Sequence, residues 1–283
     1  MFLSKWFNCK KENIIKADNN SDKNPEKQLF HYYKMQNGEF VPRYFPFDIK
    51  YSFEIVMKLI NDFSLTEYIK EIHVRNPDSG AMTLFDINGG KVEITISLAA
   101  IKMGIGNNDN SIELDEDDLK KTLTHELFHA KHIVNIYNTY GIDEITKIER
   151  MTKEKNTDQF WTRISWLVFD EYCVRRENAR KYQDIDAPYK YDKVAENLLS
   201  FEYQKNEKPL FDLFDLIETI FYNCSTLIAL EEEGQNFDRN GLDQFADEIK
   251  RCFSNYYNKM PIRFSDYELI GTKLKKILDS NVK

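Results

Sequence analysis

Cysteine is scarce in this chain, and the four residues that it has are widely separated: Cys9, Cys173, Cys224 and Cys252. They form no CxxC pair and no dense framework, so neither a zinc ribbon nor a disulfide scaffold is indicated. The N-terminal sequence contains apolar residues, but Lys5 interrupts any signal-peptide core and no small-residue cleavage site follows. We therefore expect a cytoplasmic protein with free thiols.

An excess of positive charge and a long uncharged apolar run are also missing. The 283 residues carry 39 basic and 47 acidic side chains, a net charge of −8, which argues against a general nucleic-acid binder. The longest uncharged apolar candidate runs from Thr219 to Leu230, short of the roughly 18 residues that a membrane-spanning helix needs. We interpret it as part of an amphipathic helix and expect no transmembrane segment.

The composition is that of a folded protein, with 42% hydrophobic and 14% aromatic residues. No repeat of fixed period is present, which argues against a solenoid. Residues 10–28 are almost all polar or charged and predict a flexible segment. We expect three regions: an arm at 1–28, a core at 29–182, and a helical region at 183–283 that is either a subdomain or the rest of one domain.

Hydrophobic periodicity predicts an α+β protein with a small antiparallel sheet. A helical pattern begins at Asp48, and a period of two then predicts three short strands between Ile72 and Leu98. We expect these strands to form a meander. From residue 116 onward the patterns are helical, with predicted helices at 116–139, 142–156, 159–182, 190–205, 209–233, 241–258 and 265–279. Four aromatic residues at helical spacing in this half are predicted to be core: Phe211, Phe214, Phe221 and Tyr222.

Three of the five histidines lie close together, at His125, His129 and His132. Residues four apart share one face of a helix, so His125 and His129 can direct their imidazole nitrogens at one metal ion. Glu126 is rotated about 100° from His125, which lets it reach a metal-bound water without being a ligand. The alternative is a group of core histidines satisfied by hydrogen bonds.

This HExxH sequence resembles the active-site motif of the zincin metallopeptidases. Their extended pattern has Thr or Val three residues before the first His, as at Thr122, and uncharged residues around the pair. Lys131 departs from that pattern, and Asn135 stands where the metzincin branch has a third His. The resemblance covers roughly residues 50–180 and favours the gluzincin branch, which takes its third zinc ligand from a Glu on a later helix.

Glu171 is the predicted third ligand. It interrupts an apolar stripe on one helical face, formed by Phe160, Ile164, Leu167 and Val174. An inward carboxylate needs a cation or hydrogen-bond donors to offset its desolvation, and zinc would supply the cation. An ion pair between Glu171 and Arg175 would do the same. Arg175 stands where thermolysin-like relatives usually carry an Asp. The rival ligands are Asp170, His132, Cys173 and Glu177.

The resemblance implies a zincin-like metallopeptidase core at 29–182 and a cytoplasmic enzyme that hydrolyses peptide bonds in a peptide or protein substrate. Zinc would be its cofactor, and Glu126 would be the general base for a zinc-activated water. In zincins an edge strand lies along the cleft, and the strand Val92–Leu98 has the matching place in chain order. One alternative is a non-catalytic binding protein on a zincin scaffold, which Lys131 and Arg175 motivate. The other is a helical interaction protein without metal.

Overall fold

The computed structural model describes residues 29–36, 39–43, 50–76, 81–98, 103–105, 112–114, 116–154, 157–182, 187 and 189–282. These residues divide into two compact units, one ending at Val134 and the other beginning at Asn135. The expected arm, 1–28, lies outside the described residues. The expected boundary after residue 182 stays a prediction.

The N-terminal unit contains a mixed five-stranded sheet. Its strands are β1 (Phe30–Gln36), β2 (Glu39–Arg43), β3 (Ile69–Asn76), β4 (Met82–Asn88) and β5 (Lys91–Leu98), in the spatial order β2-β1-β3-β5-β4. Strands β1, β3 and β5 run parallel to one another, whereas β2 and β4 pair antiparallel at the two edges. A separate antiparallel pair is formed by β6 (Met103–Ile105) and β7 (Ile112–Leu114).

The expected antiparallel meander is therefore wrong. Strand β3 pairs with β5, with Ile72 opposite Ile96, and β4 lies outside them at the sheet edge. The reason is burial. Strand β5, which buries Ser97 as well as its apolar residues, takes an inner position, whereas β4 alternates between buried or half-buried and exposed residues and lies at the edge. Gly89 and Gly90, with φ of 56° and 80°, make the tight turn that joins β4 to β5.

Two helices of the N-terminal unit have their bounds within the described residues. Helix α1 (Lys50–Asp62) buries Val56 and Ile60, and α2 (Glu116–Tyr140) begins with three acidic residues that complement its N-terminal dipole. Just after α1, the ring of Phe63 meets the ring of Phe128 edge to face, with centroids 4.9 Å apart. Helix α2 crosses the boundary between the two units, so its residues up to Val134 belong to the first unit.

The C-terminal unit is helical and follows the predicted pattern closely. Its helices are α3 (Ile142–Lys153), α4 (Phe160–Lys181), α5 (Tyr191–Gln204), α6 (Phe214–Glu232), α7 (Asp243–Tyr257) and α8 (Phe264–Asn281). Helix α4 packs against α6 and α8, and α5 packs on α6. All seven helices predicted from residue 116 onward are confirmed, although residues 210–213 form a 3-10 turn before α6.

Close backbone contact joins α8 to α4. A Cβ added to Gly271 would lie 2.4 Å from the carbonyl oxygen of Trp161, so only glycine allows this approach. Nearby, the Ser165 hydroxyl donates to the Tyr267 carbonyl at 2.6 Å. The fully helical unit also holds three buried free cysteines, one on each of three helices: Cys173 on α4, Cys224 on α6 and Cys252 on α7.

Among the described residues, one helical segment, Leu210–Glu232, is long and apolar enough to cross a membrane. Within its most apolar window 78% is buried inside the protein. A buried core helix passes the same test of length and composition, so this segment is weak evidence for a membrane span.

Candidate metal centre

His125 and His129 lie one turn apart on α2. Their Nε2 atoms are 3.2 Å apart, and their rings meet nearly at right angles with centroids separated by 4.9 Å. Two nitrogens bound to one tetrahedral zinc ion, each at about 2.05 Å, would lie about 3.3 Å from each other. The separation of the two imidazoles therefore matches a shared ion. Both side chains are half-buried, which leaves an approach from solvent.

Glu126 is buried beside these histidines and is held by the sheet. Its side chain is 2% exposed. The hydroxyl of Thr83, on β4, donates to the Glu126 carbonyl oxygen at 2.9 Å and to Oε2 at 2.8 Å. Strand β4 is the edge strand next to the motif helix. The expectation that Val92–Leu98 would be that edge is wrong, because β5 is paired on both sides.

Lys131 does not disturb the motif. It is exposed, and its Nζ lies 5.6 Å from the centre of the Phe63 ring, a cation–π contact on the outside of α2. His132 is 4% exposed and belongs to the buried part of the same helix.

Glu171 is buried on α4, where Arg175 contacts it one turn later. The Arg175 Nε donates to Glu171 Oε1 at 2.5 Å, and Tyr222 on α6 interacts electrostatically with the guanidinium. Burial acts to lower the pKa of Arg175, but the Glu171 carboxylate and Tyr222 outweigh it and hold that pKa above its ordinary value. Burial, reinforced by the charge of Glu171, raises the pKa of Tyr222. The alternative ion pair is thus present.

The three predicted ligands form one group. His125, His129 and Glu171 each offer one ligand atom, and these atoms all lie within 4.8 Å of one another. Within the described part of the chain, no other group of three or more His, Cys, Asp or Glu residues meets this criterion. The set could hold a metal ion.

The rival ligands lie outside this group. Asp170 and Glu177 are not members of the group, although both lie on α4 with Glu171. Cys173 is buried, and burial raises the pKa of its thiol well above the ordinary value. A protonated thiol is a poor metal ligand.

The donor set fits a metal ion. Two imidazoles and one carboxylate leave a coordination position open, which is how catalytic zinc is held. The same donors also suit non-haem Fe(II).

Sequence reasoning missed two residues of this region. Thr83 lies 43 residues before Glu126, and no local pattern links the two. Tyr222 was predicted to be core with its aromatic neighbours. It is half-buried instead, interacts electrostatically with Arg175, and its ring centroid lies 6.0 Å from that of Tyr189. Phe211 is also not core, being 41% exposed.

No protein-family model matches this chain, and no curated protein or solved structure matches it significantly.

Proposed function

We propose that this protein is a zinc-dependent metallopeptidase of gluzincin type, acting in the cytoplasm, with His125, His129 and Glu171 as metal ligands. One observation carries the proposal: the ligand atoms of these three residues lie within 4.8 Å of one another. The buried carboxylate next in sequence to His125 adds support, because a buried glutamate beside a candidate metal is the arrangement that a general base requires.

Glu126 is the proposed general base. When bound, zinc polarises a carbonyl oxygen and activates a water as a nucleophile. The Glu126 carboxylate accepts the proton that this water loses and then donates it to the leaving amine, which keeps the proton balance of the hydrolysis. Thr83 fixes Oε2, so the carboxylate has a defined orientation before any substrate arrives.

Strand β4 is the proposed binding edge for an extended peptide. Among the described residues β4 lies at the edge of the five-stranded sheet, where an extended peptide would add as a further strand. Because the Thr83 side chain reaches Glu126 from the same strand, a peptide paired with β4 would lie beside the general base.

The test begins with metal content. Protein purified without added metal or an affinity tag should contain about one zinc per chain, measured by mass spectrometry of the metal. Glu126→Gln should keep that zinc and lose hydrolysis of a proteome-derived peptide library. Glu196→Gln, an exposed carboxylate paired with Lys193 on α5, is the matched control and should keep both. Hydrolysis that survives in Glu126→Gln would overturn the mechanism.

Arg175 favours a second candidate, the non-catalytic protein on a zincin scaffold, because it already supplies a cation to Glu171. Stoichiometric zinc without hydrolysis of any library peptide would support that function. A folded wild-type chain without metal would instead support the metal-free interaction protein.

A further inference from the structure

Four exposed apolar side chains lie near one another in the C-terminal unit, at the end of α5 and in the 3-10 turn that follows it. Each is at least 41% exposed: Leu199, Tyr203, Leu210 and Phe211. Elsewhere in the part of the chain that the structure describes, only Leu84 and Leu269 are large apolar residues with comparable exposure. A concentration of exposed apolar side chains is typical of a surface that binds a partner. We call these four residues the apolar patch.

The chain folds back after α5, which keeps the apolar patch in one region. The amide of Lys208 donates to the carbonyl of Gln204 at 3.0 Å, so the 3-10 turn begins beside the last turn of α5. Leu199 and Tyr203 are four residues apart on α5 and therefore share one face of this helix. A different face of α5 packs on α6 and is buried, with the residues Tyr191, Val194, Leu198 and Phe201.

The segment that carries the apolar patch is acidic. Between residues 191 and 215 the chain has six acidic and three basic residues. One of these three cations, Lys193, is already paired with Glu196. Within the described residues, no ion pair involves three of the carboxylates, those of Glu202, Glu207 and Asp212. Uncompensated negative charge beside exposed apolar side chains favours a partner that is both apolar and positively charged.

We infer that the apolar patch is the docking site for a cationic amphipathic helix of a partner protein. Such a helix would place its apolar side chains on the patch and its Lys and Arg side chains near the three carboxylates. Helices of this kind bind exposed apolar surfaces through side chains spaced three and four residues apart. The inference goes beyond the proposed hydrolysis and needs no metal ion.

The negative charge argues against other occupants of the apolar patch. A second copy of this chain, related by a two-fold axis, would place the same carboxylates against one another. An anionic membrane surface and a nucleic acid would each bring further negative charge to the patch. A positively charged partner is the one class that the charges attract.

Fluorescence anisotropy with two labelled peptides and the intact chain tests the inference. Both peptides have about 18 residues with leucines at helical spacing, and their other positions are lysine in one peptide and glutamate in the other. The lysine peptide should bind saturably, and the glutamate peptide should bind at least about tenfold more weakly. Leu199→Ser and Tyr203→Ser should each weaken binding of the lysine peptide by about tenfold, because a few large side chains dominate binding at such surfaces. Glu207→Gln should weaken it by a smaller factor, and that effect should shrink as salt is added.

Leu269→Ser is the matched control, because Leu269 is also an exposed leucine but lies on α8. Its affinity for the lysine peptide should equal that of wild type. Equal binding by wild type, Leu199→Ser and Tyr203→Ser would mean that the peptide is attracted by the overall negative charge alone, which would overturn the inference. Equal binding of the two peptides to wild type would overturn it as well.

Two further measurements distinguish the other occupants. A wild-type dimer and a Tyr203→Ser monomer in sedimentation equilibrium would overturn the inference in favour of a second copy. Binding to phosphatidylserine vesicles that Tyr203→Ser abolishes would overturn it in favour of a membrane. Circular dichroism checks that each variant is folded, and if one of the two serine variants is not, the other decides.

Discussion

The Thr83 hydroxyl contacts two oxygens of Glu126 at once, the main-chain carbonyl at 2.9 Å and the side-chain Oε2 at 2.8 Å. One contact fixes the strand to the helix and the other fixes the carboxylate. A single side chain therefore joins an edge strand to the candidate general base. A displacement of β4 would also displace the Glu126 carboxylate.

Replacing Thr83 by valine tests this link, since valine keeps the shape and removes the hydroxyl. A hydrogen bond to a charged group is worth about 1.5–3 kcal/mol, so kcat/KM should fall by roughly 10- to 100-fold. Zinc content should not change. Thr83→Ser, which keeps the hydroxyl, should recover most of the activity on the same library-derived peptide. Equal losses in the serine and valine variants would contradict a role for the hydrogen bond.

Removing Glu171 should release the metal. Glu171→Ala takes away one of three ligands and leaves Arg175 without its carboxylate, so the variant should lose stoichiometric zinc and some thermal stability. Asp170→Ala and Glu177→Ala should keep zinc, because neither carboxylate belongs to the group formed by His125, His129 and Glu171. Metal analysis and thermal unfolding measure both effects. If Glu171→Ala binds zinc with wild-type affinity, Glu171 is not a metal ligand and its role is limited to the ion pair with Arg175.

Gly271→Ala should destabilise the C-terminal unit. The added Cβ would lie 2.4 Å from the Trp161 carbonyl oxygen, and overpacking of this kind costs about 1–3 kcal/mol. Urea unfolding should show the loss. Thr272→Ala, at the exposed neighbouring position, is the control and should change stability by less than about 0.5 kcal/mol. An unchanged unfolding midpoint in Gly271→Ala would mean that α8 can move away from α4.

Glu218 should make stability fall as the pH rises. Burial, helped by the charge of Asp215 and opposed by Arg163, raises its pKa from 4.5 to about 8. Between those values the folded state binds a proton that the unfolded state has lost, so the free energy of unfolding should decrease by at most about 1.4 kcal/mol per pH unit. Glu218→Gln should remove this slope. Urea unfolding at several pH values measures it, and an equal slope in both proteins would assign the dependence to other groups.

Much of the candidate site could be predicted from local pattern. The spacing of His125 and His129, and the phase of Glu171 in its apolar stripe, follow from helical geometry, which is fixed over a few residues. The seven helices were predictable for the same reason. Strand order was not predictable, because which strands pair depends on tertiary packing and not on which strand follows next in the chain. The interactions of Thr83 with Glu126 and of Tyr222 with Arg175 could not be predicted, because each depends on tertiary packing.

The three buried cysteines of the C-terminal unit can be used to measure how its helices separate. Burial raises the pKa of each thiol, well above the ordinary value for Cys173 and to about 11 for Cys252, so little thiolate is present at neutral pH. An alkylating reagent can react at speed only after the surrounding helices separate. Helices α4, α6 and α7 carry one such sulfur each. Mass spectrometry of labelled peptides would therefore give the rate at which each of the three helices becomes exposed in one native sample.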